Sequence, residues 1–465
     1  MAIAQPKTGF LTLLKKRDFL RLWLAQLISM TSLNATNYAL LILIHNITNS
    51  TTLVGLAIIC FSIPAVLFGA PAGVFVDRMD KRRVMWGSNC LRAIATILFA
   101  LILLGNRGSV LFFIYLLTFV ISSIGQFFTP AEGSAIPMLV GDNEMLPALS
   151  LFNITFMLSQ ALGYVILAPI ALSLLPTFTL FHITFDPIVQ LYAACGILYL
   201  LCAGLVLLIP PASFAQRHQA SSVLTPDLAT QTMGIMHNIQ GEMKEGWNFI
   251  RTRKALLLAV VQLSFAGILI LVIGQIATPI VTDLLGVSAN LMAVIFAPAG
   301  VGLVLGSIIM PGVSMRIGKL RTIFIGILGL TMATLFLPLV TILARWLQPH
   351  GWNGNPLLFL AMGFLMFIAG MALVCINIPS QTAMQELTPD WIKGRVLALQ
   401  IVLYNTCSIP IILFIGALSD ILHIDRVLYI MSISILAFGI WSVYYERKNP
   451  APVKAELVEE KVTQG

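Results

Sequence analysis

Apolar residues run along this chain in long, nearly unbroken blocks separated by short polar stretches. The blocks fall near residues 19–46, 51–76, 84–104, 108–129, 147–175, 188–210, 255–282, 290–315, 320–345, 356–379, 395–419 and 426–445. Each reaches the roughly 20 residues that a helix needs to cross a hydrocarbon core. Backbone groups in lipid must be paired within the structure, which leaves helices or a closed barrel. Barrel strands alternate apolar and polar positions, and these blocks do not. The pattern therefore predicts an all-α polytopic membrane protein with twelve transmembrane helices. Phe19 opens the first block after Lys15, Lys16 and Arg17. That block is too long for a signal-peptide core, so it is expected to stay as the first span.

The polar intervals set a direction. Of the 27 Lys and Arg residues, Arg92 lies within a span, and Arg107, Arg345 and Arg426 lie in intervals on one side. The remaining 23 lie in the tails and intervals of the other side. Basic residues are retained in the cytoplasm, so both termini are expected there, in the plasma or inner membrane.

Composition agrees. Hydrophobic residues make up 58% of the chain and charged residues 10%, against about 25% charged in soluble domains. Too few charges exist to cover a soluble fold of this size. The formal net charge of +8 is accounted for by topology, so no nucleic-acid partner is expected. Cys60, Cys90, Cys195, Cys202, Cys375 and Cys407 lie in or beside apolar blocks with no CxxC spacing, and read as small packing residues. His45, His182, His218, His237, His350 and His423 form no metal-ligand set by spacing. Walker, HExxH and GxSxG patterns are absent, so neither an enzyme nor a cofactor is expected.

One interval breaks the rhythm. Residues 211–254 begin as a Pro/Ser/Thr-rich loop and continue with Ile235, Ile239, Met243, Trp247 and Ile250 at helical spacing. That predicts an amphipathic helix lying on the inner membrane surface or packed against the loops. It divides the chain into a six-helix bundle over 1–210, the linker 211–254, a second six-helix bundle over 255–446 and a tail over 447–465. The halves echo each other. "FFTPAEGSAIPMLVGDNE" follows block four and "CINIPSQTAMQELTPDWI" follows block ten, which pairs Pro130 with Pro379. "GAPAGVFVDRMDKRR" and "GSIIMPGVSMRIGKLR" follow blocks two and eight. Placement at equivalent spans argues for a duplicated unit around a central path.

The stretch "GVFVDRMDKRR", with Gly73, Asp77, Arg78, Arg82 and Arg83, resembles the loop-2/3 motif of the major facilitator superfamily, commonly written GxxxDRxGRR. "FLRLWLAQLIS", "FFTPAEGSAIPMLV" and "TPDWIKGRVLALQ" resemble the exporter branch related to macrolide and enterobactin efflux. The resemblance covers essentially the whole membrane region. It implies the major facilitator fold and a monomeric secondary transporter. Such a carrier works by alternating access and exports a small amphiphilic organic solute, with protons as the usual coupling ion. Two departures stand out. The second echo has Met315 or Arg316 where Asp77 would align, and "SQALGYVILAPI" in span five keeps Gly163 but lacks the paired glycines of antiporters.

Within that frame the motif reads as a conformational latch. Gly73 permits close backbone approach, Asp77 accepts from backbone amides or a cation, and Arg78, Arg82 and Arg83 hold the inner face closed or meet lipid phosphate. A purely topogenic loop is the alternative. For coupling the candidates are Glu132, placed at the inner exit of span four, and Arg92, about 12 Å of helix rise into span three. Glu132 reads either as a proton switch or as a loop cap, and Arg92 as a pairing residue or one that snorkels to the surface. Asn34, Asn37, Tyr38, Gln126, Asn153, Gln262, Asn377 and Tyr404 are candidate cavity residues, though helix-to-helix hydrogen bonds would use the same side chains. The outer segment "LPTFTLFHITFDP" reads as an extension of span five or a lid touching the membrane. A lipid or lysophospholipid translocator and a non-transporting receptor or assembly protein remain the alternatives for function.

Overall fold

The structure, a computed structural model, describes residues 10–105, 110–141, 144–180, 183–215, 241, 243–288, 291–348, 351–389 and 392–449. The side chains of Asp77, Arg78 and Asn153 lie outside the described set, as do His182, His218, His237, His350, the linker residues Ile235 and Ile239, and the tail beyond Asn449. Twelve helices are long and apolar enough to cross a membrane. In order they are Arg17–Thr48, Thr51–Arg78, Lys81–Leu103, Leu111–Leu139, Met145–Leu174 with a π-helical stretch at Leu162–Leu167, Pro187–Leu207, Lys254–Leu284 with another at Ile280–Leu284, Met292–Ile317, Lys319–Leu347, Pro356–Leu387, Lys393–Ile421 and Ile424–Lys448. They are called span one to span twelve below. The Cα framework divides into two compact units, Met1–Thr225 with Ser288–Val294, and Pro226–Val287 with Ile295–Gly465.

Local sequence explains several boundaries. Ser50 accepts from the Leu53 amide at the start of span two, and Asp80 from the Arg83 amide at the start of span three. Asn355 accepts from the Leu357 amide ahead of Pro356, the first residue of span ten. These polar caps satisfy donors that have no partner inside the helix. Gly318 joins spans eight and nine at φ +92°, a conformation that a side chain would strain.

Two spans run further than the apolar blocks suggest. Span four was expected to end before Pro130 and span ten at Pro379. In the structure they continue to Leu139 and Leu387, with Pro130, Pro137 and Pro379 inside the helices. Proline removes one ladder hydrogen bond, which breaks helices in water, but membrane helices tolerate it when neighbours re-satisfy the freed carbonyl. The extension moves Glu132 from an expected exit loop to the interior of a helix.

The described end of the linker, residues 243–252, is helical and packs on the second unit. Ile250 is buried with Met384, Ile392 and Leu399. Glu245 pairs with Arg395 at 2.7 Å. Ile250 therefore faces protein, while Trp247 of the same apolar stripe is exposed. The outer segment is a two-stranded antiparallel hairpin and not an extension of the span-five helix. Its strands are β1, Phe178–Leu180, and β2, Ile183–Phe185. Phe178 stacks on Phe185 at 5.1 Å, and Gln190 Nε2 donates to the carbonyls of Pro176 and Phe185 at 2.7 and 2.9 Å.

At the basic end of the first unit, cations close off the carbonyl end of span six. Arg82 Nη2 donates to Leu207 O at 2.6 Å and Arg21 Nη1 to Leu208 O at 2.7 Å. Positive charge belongs at a helix C-terminus, where carbonyls lack partners. Lys16 pairs with Glu144, which also accepts from the Gly141 amide at 3.0 Å. The Lys16 hydrogen bond, then the Gly141 amide, holds the Glu144 carboxyl below the ordinary carboxylate range. A folded value below the unfolded one means that the staple contributes at neutral pH and is lost as pH falls through the lowered value. Glu144→Gln should therefore melt slightly below wild type at neutral pH, and the gap should close in acid. The effect is small because the pair is solvated. A gap that widens in acid contradicts this assignment.

Candidate functional site

A polar cluster lies inside the first unit, among spans one, three, four and six. Arg92 of span three is 1% exposed and Glu132 of span four 3%. Among the described residues Glu132 is the one buried carboxylate. Span four turns Gly125, Phe128 and Glu132 to one face, since residues three, four and seven apart lie on one stripe of a helix. A methyl group built on Gly125 would sit 2.2 Å from Arg92 Nη2, so glycine is what leaves room for the guanidinium.

Arg92 is held by neutral groups. Its Nη1 donates to Ser29 Oγ at 3.1 Å, and Ser29 in turn donates to Asn89 Oδ1 at 3.2 Å. Asn89 Nδ2 donates to Met85 O at 3.2 Å, within span three. The Arg92 Cζ lies 5.5 Å from the Phe128 ring and 5.7 Å from the Tyr199 ring. Such cation–π contacts are worth up to about 2 kcal/mol when desolvated. Cys202 completes the wall from span six, donating from Sγ to Ala25 O at 3.4 Å. Glu132 lies on the same stripe of span four, one turn beyond Phe128.

Three polar atoms of this cluster are buried without a hydrogen-bond partner: Arg92 Nε, Glu132 Oε1 and Tyr199 Oη. Leaving such atoms unpaired costs about 1–3 kcal/mol each, and more for charged groups. A fold that retains them has kept a strained electrostatic site where an apolar core would be cheaper. Arg92 therefore does not snorkel, and Glu132 is not a loop cap. The partners Ser29, Asn89, Gly125, Tyr199 and Cys202 were not singled out from the sequence. An arginine well inside a span was the available signal, because it demands polar neighbours on adjacent helices.

The candidate cavity residues divide by unit. In the first, Asn34, Asn37 and Tyr38 of span one gather against the π-helical stretch of span five. A methyl on Gly163 would lie 2.5 Å from Asn34 Cβ. Asn37 hydrogen-bonds the Tyr164 side chain, and Tyr38 meets the Tyr164 ring edge-on at 6.2 Å. Gln126 makes a long contact of 3.4 Å to Ser122 O in its own helix. In the second unit, Gln262 donates to Ser442 Oγ at 2.6 Å, a buried bond between spans seven and twelve. Such bonds average about 0.6 kcal/mol, and this one commits the Gln262 amide to packing. The Tyr404 ring lies over Gly267, 2.7 Å from where a methyl would be. Asn377 is half-buried in span ten.

The motif residues are only partly placed. Gly73 stands in span two with nothing among the described residues within 4 Å of an added methyl. Arg82 is engaged at span six, as above. Arg83 is largely exposed and lies 3.7 Å from Asp80. Asp80, where the motif has glycine nearby, earns its place as the cap of span three.

Comparison with known proteins follows the same lines. The chain is 25% identical to the uncharacterized MFS-type transporter YfiS of Bacillus subtilis (strain 168) over 342 residues, 73% of this chain and 72% of that one. It is 26% identical to macrolide efflux protein A of Streptococcus pyogenes over 153 residues, 32% of this chain. That match spans 37% of the efflux protein, and a match to the uncharacterized MFS-type transporter YkuC of Bacillus subtilis (strain 168) spans 34% of YkuC. Among solved structures, the nucleoside transporter NupG superposes with a TM-score of 0.68 at 11% identity, covering 92% of this chain and 99% of that one. A bacterial homologue of the human lysosomal transporter Spinster, inward-facing and occupied, gives 0.66 at 11% identity, covering 93% and 97%. These likenesses are of fold. The family model of the Major Facilitator Superfamily matches residues 22–409, and with twelve spans in the expected order the chain belongs to that superfamily of transporters.

Proposed function

We propose that the protein exports an amphiphilic organic solute of the macrolide type by alternating access, driven by protons taken up and released at Glu132. The observation that carries the coupling is that Glu132 is the one buried carboxylate among the described residues, in the same unit as the buried Arg92. A carboxyl group that gains and loses a proton in a low-dielectric site changes the local charge by a full unit, which is enough to bias two packings of a bundle. The solute class is supported by the likeness to macrolide efflux protein A. It is also supported by neutral polar side chains, Asn34, Asn37 and Asn377 among them, set in largely apolar helices.

Gly73, Asp77, Arg78, Arg82 and Arg83 act in this reading as a latch at the cytoplasmic end. The Arg82 bond to the carbonyl end of span six is of a kind that a moving helix can break and remake. Both termini face the cytoplasm, the membrane is the plasma or inner membrane, and the carrier works as a monomer.

Thermal unfolding of the purified protein with erythromycin or with lysophosphatidylcholine tests the solute class. A ligand at 100 times its dissociation constant stabilises by about 2.7 kcal/mol. Erythromycin should raise the melting temperature. Stabilisation by the lysophospholipid alone would make the protein a lipid translocator instead.

A further inference from the structure

We propose that Met310, Met371 and Cys375 form a binding site for a soft monovalent cation, copper(I) or its analogue silver(I), inside the second unit between spans eight and ten. The site is independent of the coupling role given to Glu132.

Two facing stripes build it. Span eight contributes Gly306 and Met310, and span ten contributes Met371 and Cys375. Each pair is four residues apart and so lies on one face of its helix. Cys375 Sγ lies 3.2 Å from Met310 Sδ. Both residues are 6% exposed. With Val374 they form a buried cluster against which Met371, Val313 and Ile378 pack. A methyl on Gly306 would sit 3.3 Å from Met371 Sδ, so the glycine leaves the space beside this sulfur. Gly302 meets Phe367, Gly306 meets Met371 and Val374, and Met310 meets Cys375, so the two helices run parallel. Side chains on a helix lean back toward its N-terminus. Met310 therefore leans toward the turn of Gly306, where the Met371 sulfur lies, and Cys375 leans toward the turn of Met371. The three sulfurs converge on one part of the seam.

The chemistry of the donors selects the ion. Hard cations take oxygen ligands, and the side chains of this cluster offer sulfur and hydrocarbon. Thiolate and thioether sulfur select soft ions such as copper(I). Charge selects the valence. On binding, the Cys375 S–H bond breaks, the proton leaves to water and a sulfur–metal bond forms. One positive charge enters as one leaves, and no electron is transferred. The two thioethers are neutral donors and complete the coordination. A monovalent ion thus leaves the seam neutral, whereas a divalent ion would leave a net charge in an apolar site, which is costly inside a membrane. Sulfur–metal bonds are roughly 2.3 Å long, so two sulfurs of a trigonal site stand about 4 Å apart. Met310 reaches that separation from 3.2 Å by turning its flexible, unbranched chain.

Silver(I) is the probe, because it is redox-inert under assay conditions. The full chain carrying C407S, which removes the exposed thiol, is the parent. It is loaded with silver nitrate and desalted in excess methionine. Its retained metal is then counted by mass spectrometry, and its melting temperature is measured with and without silver. The parent should retain silver and melt higher with it. C375S in the same background should hold one silver fewer per chain. M310L and M371L keep the thiol and nearly the same volume. Each should bind silver at least about tenfold more weakly, the low end of what losing even an outer partner of a metal ligand costs. An equal silver count in C375S would place the metal elsewhere and overturn the proposal. M310L or M371L binding as tightly as the parent would overturn the site as built here, and these variants read it even if C375S fails to fold. Zinc retained as strongly as silver would overturn the argument from charge.

Discussion

Glu132→Gln is expected to abolish pH-gradient-driven accumulation of erythromycin while leaving erythromycin binding and solute exchange in place. Glutamine keeps the size and hydrogen-bonding capacity of glutamate but cannot cycle between charged and neutral forms. The expected loss is large. With one proton moved per solute, a gradient of one pH unit is worth about 1.4 kcal/mol, or roughly tenfold accumulation. The variant should fall to the level reached without a gradient. Flux assays in proteoliposomes, with binding followed separately by thermal shift, distinguish a lost switch from a lost fold. Gradient-driven accumulation that persists in Glu132→Gln would eliminate Glu132 as the proton carrier.

The largest expected loss of stability lies elsewhere, where two helices of the second unit touch backbone to backbone. A methyl on Gly370 of span ten would sit 2.1 Å from Ala299 O, and one on Gly302 of span eight would sit 2.4 Å from Phe367 O. Gly302 and Gly306 are spaced as in GxxxG association motifs, in which small residues let membrane helices approach closely. Backbone cannot rotate out of the way as a side-chain tip can. Gly370→Val should therefore cost at least the roughly 1–3 kcal/mol of overpacking, seen as a lower melting temperature and a smaller monodisperse fraction on size exclusion. Gly73→Ala is the matched control, because nothing among the described residues lies within 4 Å of its added methyl. Equal behaviour of the two variants would refute the close-packing account.

The long apolar blocks made the fold legible, because a bilayer demands helices of a set length whatever packs against them. All twelve spans followed from that demand. Helix ends were less legible. The apolar blocks end at residues 129 and 379, whereas in the structure spans four and ten continue through Pro130 and Pro379 to Leu139 and Leu387. The shorter reading of span four placed Glu132 at a helix exit, not inside the helix. Arg92 was visible as an intramembrane charge, but its partners come from spans one, four and six, far away in sequence. Gly125 carries no chemical signal of its own. Only its distance from a guanidinium gives it meaning. The outer hairpin was hidden for a similar reason, since strands of three residues are too short to show a period.

The measurement that bears most directly on the central claim is erythromycin movement in proteoliposomes containing the wild-type protein, with and without an imposed pH gradient. Proton-coupled transport at Glu132 predicts accumulation that rises with the gradient, collapses when a protonophore dissipates it, and exceeds that of protein-free vesicles. Erythromycin levels equal to those of protein-free vesicles under both conditions would contradict it.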